Sequence, residues 1–352
     1  NAILTRKMKF KAIFFCGFFA NLSSGIIAAL AAISGFGIWA LVIQTIIQQG
    51  ISSFTMFPFC EWKIKFEFSK GGFKEVFVFG SKVLLAELLY TFIQNIRTLA
   101  IGKRFSTEEL AYYDRGQTYP NAIMGSIYDA IGSVCLPVFA QNQEKKPNFV
   151  QSVDIALGMV TLLVTPIFVG FAAVSSPFVN ALLTNKWSQS IPFIRIFCIY
   201  QLSLPVYCVL RQALYAVGKS GYVLKLEITK GILFLMAIFI GIYINPMIVA
   251  IATTIAMFIS TILYIVFTYK IIKFSLVSFS IEVVRVSAYS IVMACGIYIL
   301  NSLKYSALRL LIIDILFGVI LYGGCAMIFK DKYLYLLIDL LKRKIRGIDN
   351  GI

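Results

Sequence analysis

The sequence predicts an all-α, polytopic membrane protein with about ten transmembrane helices. Three observations carry that prediction. The 352 residues are 59% hydrophobic and only 14% charged, whereas soluble domains run near 45–50% apolar and about 25% charged. Apolar runs of roughly 20 residues, each long enough to cross a hydrocarbon core, recur from one end of the chain to the other. Most of these runs also lack the polar face that a soluble helix turns to water.

Taken in order, the first span (12–34) follows the basic stretch "TRKMKFK". Its apolar run is too long for a signal peptide, and another span follows at once. The chain is therefore expected to begin partway through a longer protein. "SGFG" (34–37) turns tightly into the second span, 37–59. "EWKIKFEFSKGGFKE" (61–75) reads as an interfacial cytoplasmic segment with a Gly-Gly hinge. Spans 77–101 and 120–140 are joined by an outer connection holding "LAYYDRGQTYP" (110–120). Spans 154–175 and 191–215 are interrupted by Pro166 and Pro205, each of which frees backbone carbonyls and permits a kink. "INP" (244–246) makes a hairpin of spans 222–244 and 247–269, and a last pair covers 280–300 and 307–329. "KYLYLLIDLLKRKIRG" (332–347) has apolar and basic faces, suited to lie on an anionic leaflet.

The net charge is +16, from 32 Lys+Arg against 16 Asp+Glu. These charges alternate between connections, rich on one side (Lys63, Lys65, Lys145, Lys146, Lys270, Lys342) and sparse on the other. The positive-inside rule then puts both ends of the chain in the cytoplasm and 110–120 outside. Topology accounts for the basic excess, and no nucleic-acid partner is implied. The sequence has no histidine, which removes imidazole acid–base chemistry, His-ligated metal and Ser-His-Asp triads. Its seven cysteines stand singly without a CxxC pair and read as packing residues. "AVGKSG" (216–221) imitates the end of a phosphate-binding loop, but Ala213 replaces the earlier glycine and no strand precedes it. No cofactor is implied.

Charges inside spans cost roughly 2.5–3.5 kcal/mol each on insertion scales and usually face a bundle interior or water. Counted at about 1.5 Å per residue, Glu87 and Asp129 fall near the midplane on consecutive antiparallel helices. They are candidates for ion coupling. Lys82, Arg97, Arg211 and Lys230 are candidates to line a water-filled cavity and attract an anion. The competing reading pairs Glu227 with Lys230 at i,i+3, pairs the midplane acids with basic neighbours, and lets end residues snorkel. Asp114 and Arg115 either steer substrate at the outer mouth or cap the next helix and face water.

Six strings now point one way, in order along the chain: "GFGIWALVIQ" (35–44), "FGSKVLLAELLYTFIQNI" (79–96), "IGKRFSTEELAYYDRGQTYP" (101–120), "IGSVCLPVFAQNQ" (131–143), "LLTNKWSQSIPFIRIF" (182–197) and "LYAVGKSGYVLKLEITKG" (214–231). Together the chain resembles the Wzx-type polysaccharide or O-antigen flippases, the polysaccharide-transporter branch of the multidrug/oligosaccharidyl-lipid/polysaccharide exporters. The resemblance implies two six-helix lobes plus a final pair, with the first four helices missing here. On that pattern 1–59 ends the N-lobe, 60–76 is the inter-lobe linker, 77–270 the six-helix C-lobe, 271–329 the extra pair and 330–352 a basic cytoplasmic tail. Lys82, Tyr113, Arg115, Gln117, Trp187, Glu227 and Lys230 lie in strings that look like the family pattern. Arg97 and Arg211 stand where that pattern has uncharged or amide residues.

What the resemblance implies is transport, by alternating access, of undecaprenyl-pyrophosphate-linked oligosaccharide across the bacterial inner membrane. An ion gradient would drive it. Anionic lipids, a polysaccharide polymerase and chain-length machinery would be partners. A membrane glycosyltransferase or polymerase of the same pathway, or a drug exporter of the same superfamily, are the alternatives. Against an enzyme, the longest outer loop is about 18 residues and its only acids are Glu108, Glu109 and Asp114.

Overall fold

The computed structural model describes residues 4, 10–37, 39–60, 70–301 and 307–345. These form two compact units, Asn1–Lys74 and Glu75–Ile352. In the first, α1 (Phe10–Ile33) and α2 (Trp39–Met56) pack as a hairpin, and a 3-10 turn (Phe57–Cys60) follows. The turn between them needs Gly35 and Gly37, whose φ of 87° and 52° lie where an L side chain is strained. Gln48 Nε2 donates to Asn21 Oδ1 at 2.5 Å across the hairpin. Leu4, Cys16 and Met56 make a small core. Phe14, Phe18, Leu22 and Leu30 are exposed along α1, as expected of side chains that meet lipid rather than water.

The second unit holds α3 (Lys70–Arg104, its first residues lying before the unit boundary), α4 (Thr107–Asn142), α5 (Lys146–Ala173) and the short α6 (Ser175–Leu182). A 3-10 segment (Asn185–Ser190), α7 (Ile191–Ala216), α8 (Ser220–Ile242), α9 (Pro246–Ile272), α10 (Leu276–Leu300), α11 (Ala307–Ile328) and α12 (Lys332–Ile345) complete it. Local chemistry sets the boundaries. Asn245 caps α9 by accepting from the Ile248 amide at 2.8 Å, with Pro246 at its first position, the residue whose missing N–H costs nothing there. Asp331 caps α12 by accepting from the Tyr333 and Leu334 amides.

Two expectations are corrected. Residues 110–120 are no outer loop: α4 begins at Thr107 and runs through them. Ser106 and Glu109 form a reciprocal capping box, which starts the helix three turns before the hydropathy rises. The Gly71-Gly72 hinge belongs to the first turn of α3, although the rest of the linker, 61–69, lies outside the described residues. Pro166 and Pro205 lie inside α5 and α7, where a proline leaves the helix continuous and still permits a kink.

Among the described residues, seven helices are long and apolar enough to cross a membrane: Lys11–Ile33, Thr107–Asn142, Lys146–Ala173, Asn185–Ala216, Pro246–Ile272, Leu276–Leu300 and Leu308–Ile328. The other three predicted spans also form helices, α2, α3 and α8. Glutamines dilute the apolar run of α2, and charges interrupt those of α3 and α8. The core is built around α7, where Cys208, Val209, Leu210, Ala213 and Leu214 are fully buried and which packs on α4, α5 and α9. At the α4–α7 contact Gly116 lies against Phe193; a Cβ there would stand 2.3 Å from the Phe193 Cβ. That approach brings a polar face of α4 up to the polar side of α7.

Candidate functional site

Along α4, Asp114, Gln117, Thr118, Asn121, Gly125, Tyr128 and Asp129 recur at intervals of three or four with adjacent pairs. This is the spacing of one helix face. They line a cavity of about 640 Å³ together with Glu87, Asn95, Arg97 and Thr98 of α3 and with Tyr200, Gln201, Tyr207 and Arg211 of α7. Carboxylates, guanidiniums, amides and phenols thus converge within helices whose other faces are apolar.

Near the middle of α3, Arg211 Nη1 pairs with Glu87 Oε1 at 2.7 Å. The rings of Tyr128, Tyr207 and Tyr215 surround the same guanidinium at 5.5, 5.7 and 5.8 Å from their centroids, within cation–π range. Gln201 Nε2 donates to Asn121 Oδ1 at 2.7 Å, linking α7 to α4, while the buried Gln201 Oε1 has no partner. Further along α3, Arg97 is only 4% exposed. Its guanidinium lies 6.0 Å over the Tyr113 ring, and its Nε has no acceptor.

Behind the wall lies a second polar cluster. Lys230 Nζ meets Glu227 Oε2 at 2.5 Å and donates to the Tyr207 hydroxyl at 3.0 Å. Tyr207 donates in turn to Glu227 Oε1, as does Tyr264 from α9 at 2.8 Å. Glu227 and Lys230 are 2% and 5% exposed. Tyr207 belongs to both groups, since it lines the cavity and bonds the buried pair.

Of the residues singled out in the sequence, Glu87, Arg97, Asp114, Asp129 and Arg211 come together on the cavity. Lys230 does not: it is buried as half of the i,i+3 pair, where Glu227 neutralises it and the Tyr207 hydroxyl accepts from it. Lys82 is also absent from the lining. Its ammonium lies beside Gly221 at the start of α8, 3.7 Å from where a Cβ would be. Arg115 is exposed and sits over the Trp187 ring at 5.2 Å. The amides Asn95, Gln117, Asn121 and Gln201 and the tyrosines 128, 200 and 207 were not anticipated as lining groups. The periodic polar positions of α4 were the signal that could have found them. Among the described residues no three acidic or sulfur side chains converge as a metal site would require.

Residues 1–192 match the family described as polysaccharide biosynthesis protein. The chain belongs to this family. This member of the polysaccharide biosynthesis proteins is 24% identical over 200 residues to the teichuronic acid biosynthesis protein TuaB of Bacillus subtilis (strain 168), covering 56% of this chain and 41% of that protein. It is 19% identical over 191 residues to the succinoglycan biosynthesis transport protein ExoT of Rhizobium meliloti (strain 1021), covering 54% and 39%. The chain therefore spans about two fifths of the length of these curated relatives. A solved structure of the lipid II flippase MurJ in an inward closed conformation superposes with a TM-score of 0.60 at 20% identity, over 92% of this chain and 68% of that one. The family member therefore shares the all-helical fold of that structure, and its apolar helices make it a multi-pass membrane protein.

Proposed function

We propose that this protein is a transporter that flips a lipid-linked oligosaccharide across the cytoplasmic membrane by alternating access, with the α3–α4–α7 cavity as its transport site. One observation carries the reading: a cavity of about 640 Å³ lined by amides, phenols and two guanidiniums inside a bundle whose exposed faces are apolar. Amides and phenols donate to and accept from sugar hydroxyls, and guanidiniums bind phosphate oxygens or carboxylates. A carrier such as undecaprenyl pyrophosphate would supply the anion and a hydrocarbon chain that stays in lipid. Family membership and the names of the relatives, a succinoglycan transport protein and a lipid II flippase, agree with transport. Asp129 is the favoured ion-coupling group, since Glu87 is engaged by Arg211. The basic α12 is expected to rest on anionic lipid, with both chain ends cytoplasmic.

The test is reconstitution of the full chain in liposomes with a lipid-pyrophosphate oligosaccharide. Transbilayer movement is expected, cut at least about tenfold by Arg211→Gln, the order of one lost charge-assisted contact. Lys225→Ala, outside the cavity, should leave it unchanged. Movement that survives Arg211→Gln together with Gln201→Ala would remove the cavity from the transport path. Glycan elongation without translocation would favour an enzyme instead. Loss of movement on collapsing the proton or the sodium gradient, each alone, would identify the coupling ion; no loss in either would refute ion coupling.

A further inference from the structure

We infer that Glu282 and Asp331 form a proton-binding site, in which Glu282 Oε1 holds a proton and donates it to Asp331 Oδ2, latching α12 onto the helix bundle. Neither residue lines the α3–α4–α7 cavity, so the inference stands apart from the proposed transport site. Glu282 lies in the second turn of α10, and Asp331 immediately precedes α12. They are 1% and 0% exposed, and their carboxyls stand within hydrogen-bonding reach of each other. Arg285 bridges them: its Nη2 meets Glu282 Oε2 at 2.9 Å and its Nη1 meets Asp331 Oδ2 at 3.4 Å. One guanidinium against two buried carboxylates leaves a negative charge uncompensated, which is costly in a site closed to water.

The open atoms say where the proton sits. Glu282 Oε1 and Asp331 Oδ2 are buried without a hydrogen-bond partner. Ionised carboxylates only accept, so neither oxygen satisfies the other until one carries a proton. Asp331 Oδ1 already accepts from the Tyr333 and Leu334 amides, and the N-terminus of α12 favours its charged form. The proton therefore belongs to Glu282. The Tyr289 hydroxyl, buried beside Arg285 and also without a partner, is a third polar atom left open there. The other titratable groups around the pair are Asp154 of α5, Tyr322 of α11, and Lys332 and Tyr333 of α12. Asp154 accepts from the Ser275 amide at 3.1 Å. Lys332 is exposed, and water screens its charge. The consequence falls on α12. The Tyr333 ring fills a notch at Gly158 of α5, where a Cβ would stand 2.1 Å from it, and its hydroxyl donates to the Asp154 carbonyl at 3.4 Å. Losing the proton sets two like charges against each other beside this anchor and loosens it.

The experiment is infrared difference spectroscopy of the purified full chain, wild type against Glu282→Gln, joined to hydrogen–deuterium exchange of α12 read by mass spectrometry. Wild type at neutral pH is expected to show a protonated-carboxyl C=O band, shifted in deuterium oxide, that Glu282→Gln lacks. Asp331→Asn should lose the band too, because Arg285 then neutralises an ionised Glu282 by itself; this variant also serves if the Gln variant does not fold. The Tyr333, Leu334 and Tyr335 amides all bond to Asp331. Corrected for intrinsic exchange, their protection in wild type should fall as pH rises from neutral, by up to about tenfold per pH unit, the slope of one proton. In Glu282→Gln it should stay constant. Absence of the band from wild type overturns the proton site. A band that survives Asp331→Asn shows Glu282 protonated by burial alone and overturns the sharing. Protection that follows sodium concentration in place of pH assigns the site to a metal cation and overturns the proton. Protection of α12 in wild type that follows neither overturns the latch.

Discussion

Lys230 shows how a charged residue in a membrane span acquires its role from its neighbours. Its ammonium is held by Glu227 and the Tyr207 hydroxyl in a site almost closed to solvent. Breaking a buried pair by removing one partner leaves the other charge uncompensated, at a cost of about 3–5 kcal/mol. Lys230→Met is thus expected to lower stability by that order, and Glu227→Leu with Lys230→Met to recover most of it. Thermal unfolding of the purified variants in detergent checks both. Because Tyr207 links this pair to the cavity, the single variant should also weaken transport more than its stability loss alone explains. The i,i+3 spacing made the pair legible in the sequence. That the pair is buried in the helix bundle was not legible, because Tyr207 and Tyr264 reach it from α7 and α9, 20 and 37 residues away.

At the scale of elements, α4 is the informative case. Ser106 accepts from the Glu109 amide at 3.2 Å while Glu109 Oε2 accepts from the Ser106 amide at 3.1 Å. The helix therefore starts well before the apolar run. Ser106→Ala removes one half of the box and is expected to cost about 1 kcal/mol. The amides of residues 107–110 should then exchange faster with deuterium while those past Pro120 stay unchanged, a difference that mass spectrometry resolves. Hydropathy alone marked only 120–140, since it detects what lipid covers and ignores a polar turn that continues the same helix. The S-x-x-E pattern of Ser106 to Glu109 was present all along. It extends α4 far enough to carry Asp114, Gln117 and Thr118 into the cavity, which a loop at 110–120 would not have done.

For the whole molecule, the alternation of basic connections predicts sidedness. A cysteine placed at Lys186 in a cysteine-free background should react with an impermeant maleimide from outside intact cells, and one at Lys342 only after permeabilisation. The reverse pattern would overturn the orientation. Composition and run length determined by themselves that this is a helical membrane protein, because a hydrocarbon solvent leaves a backbone few ways to satisfy its hydrogen bonds. The ordered strings pointed to the family before any contact was known. Which intramembrane charges share a cavity was decided only by tertiary structure. Arg211 and Glu87 are 124 residues apart in the chain, and Gln201 and Asn121 are 80 apart. A span's sequence gives a residue's depth through the helical rise, but its azimuth toward cavity, core or lipid depends on which neighbouring helix packs against it. Lys230 and Arg97 were alike by charge; packing put a carboxylate against Lys230 and turned Arg97 onto the cavity.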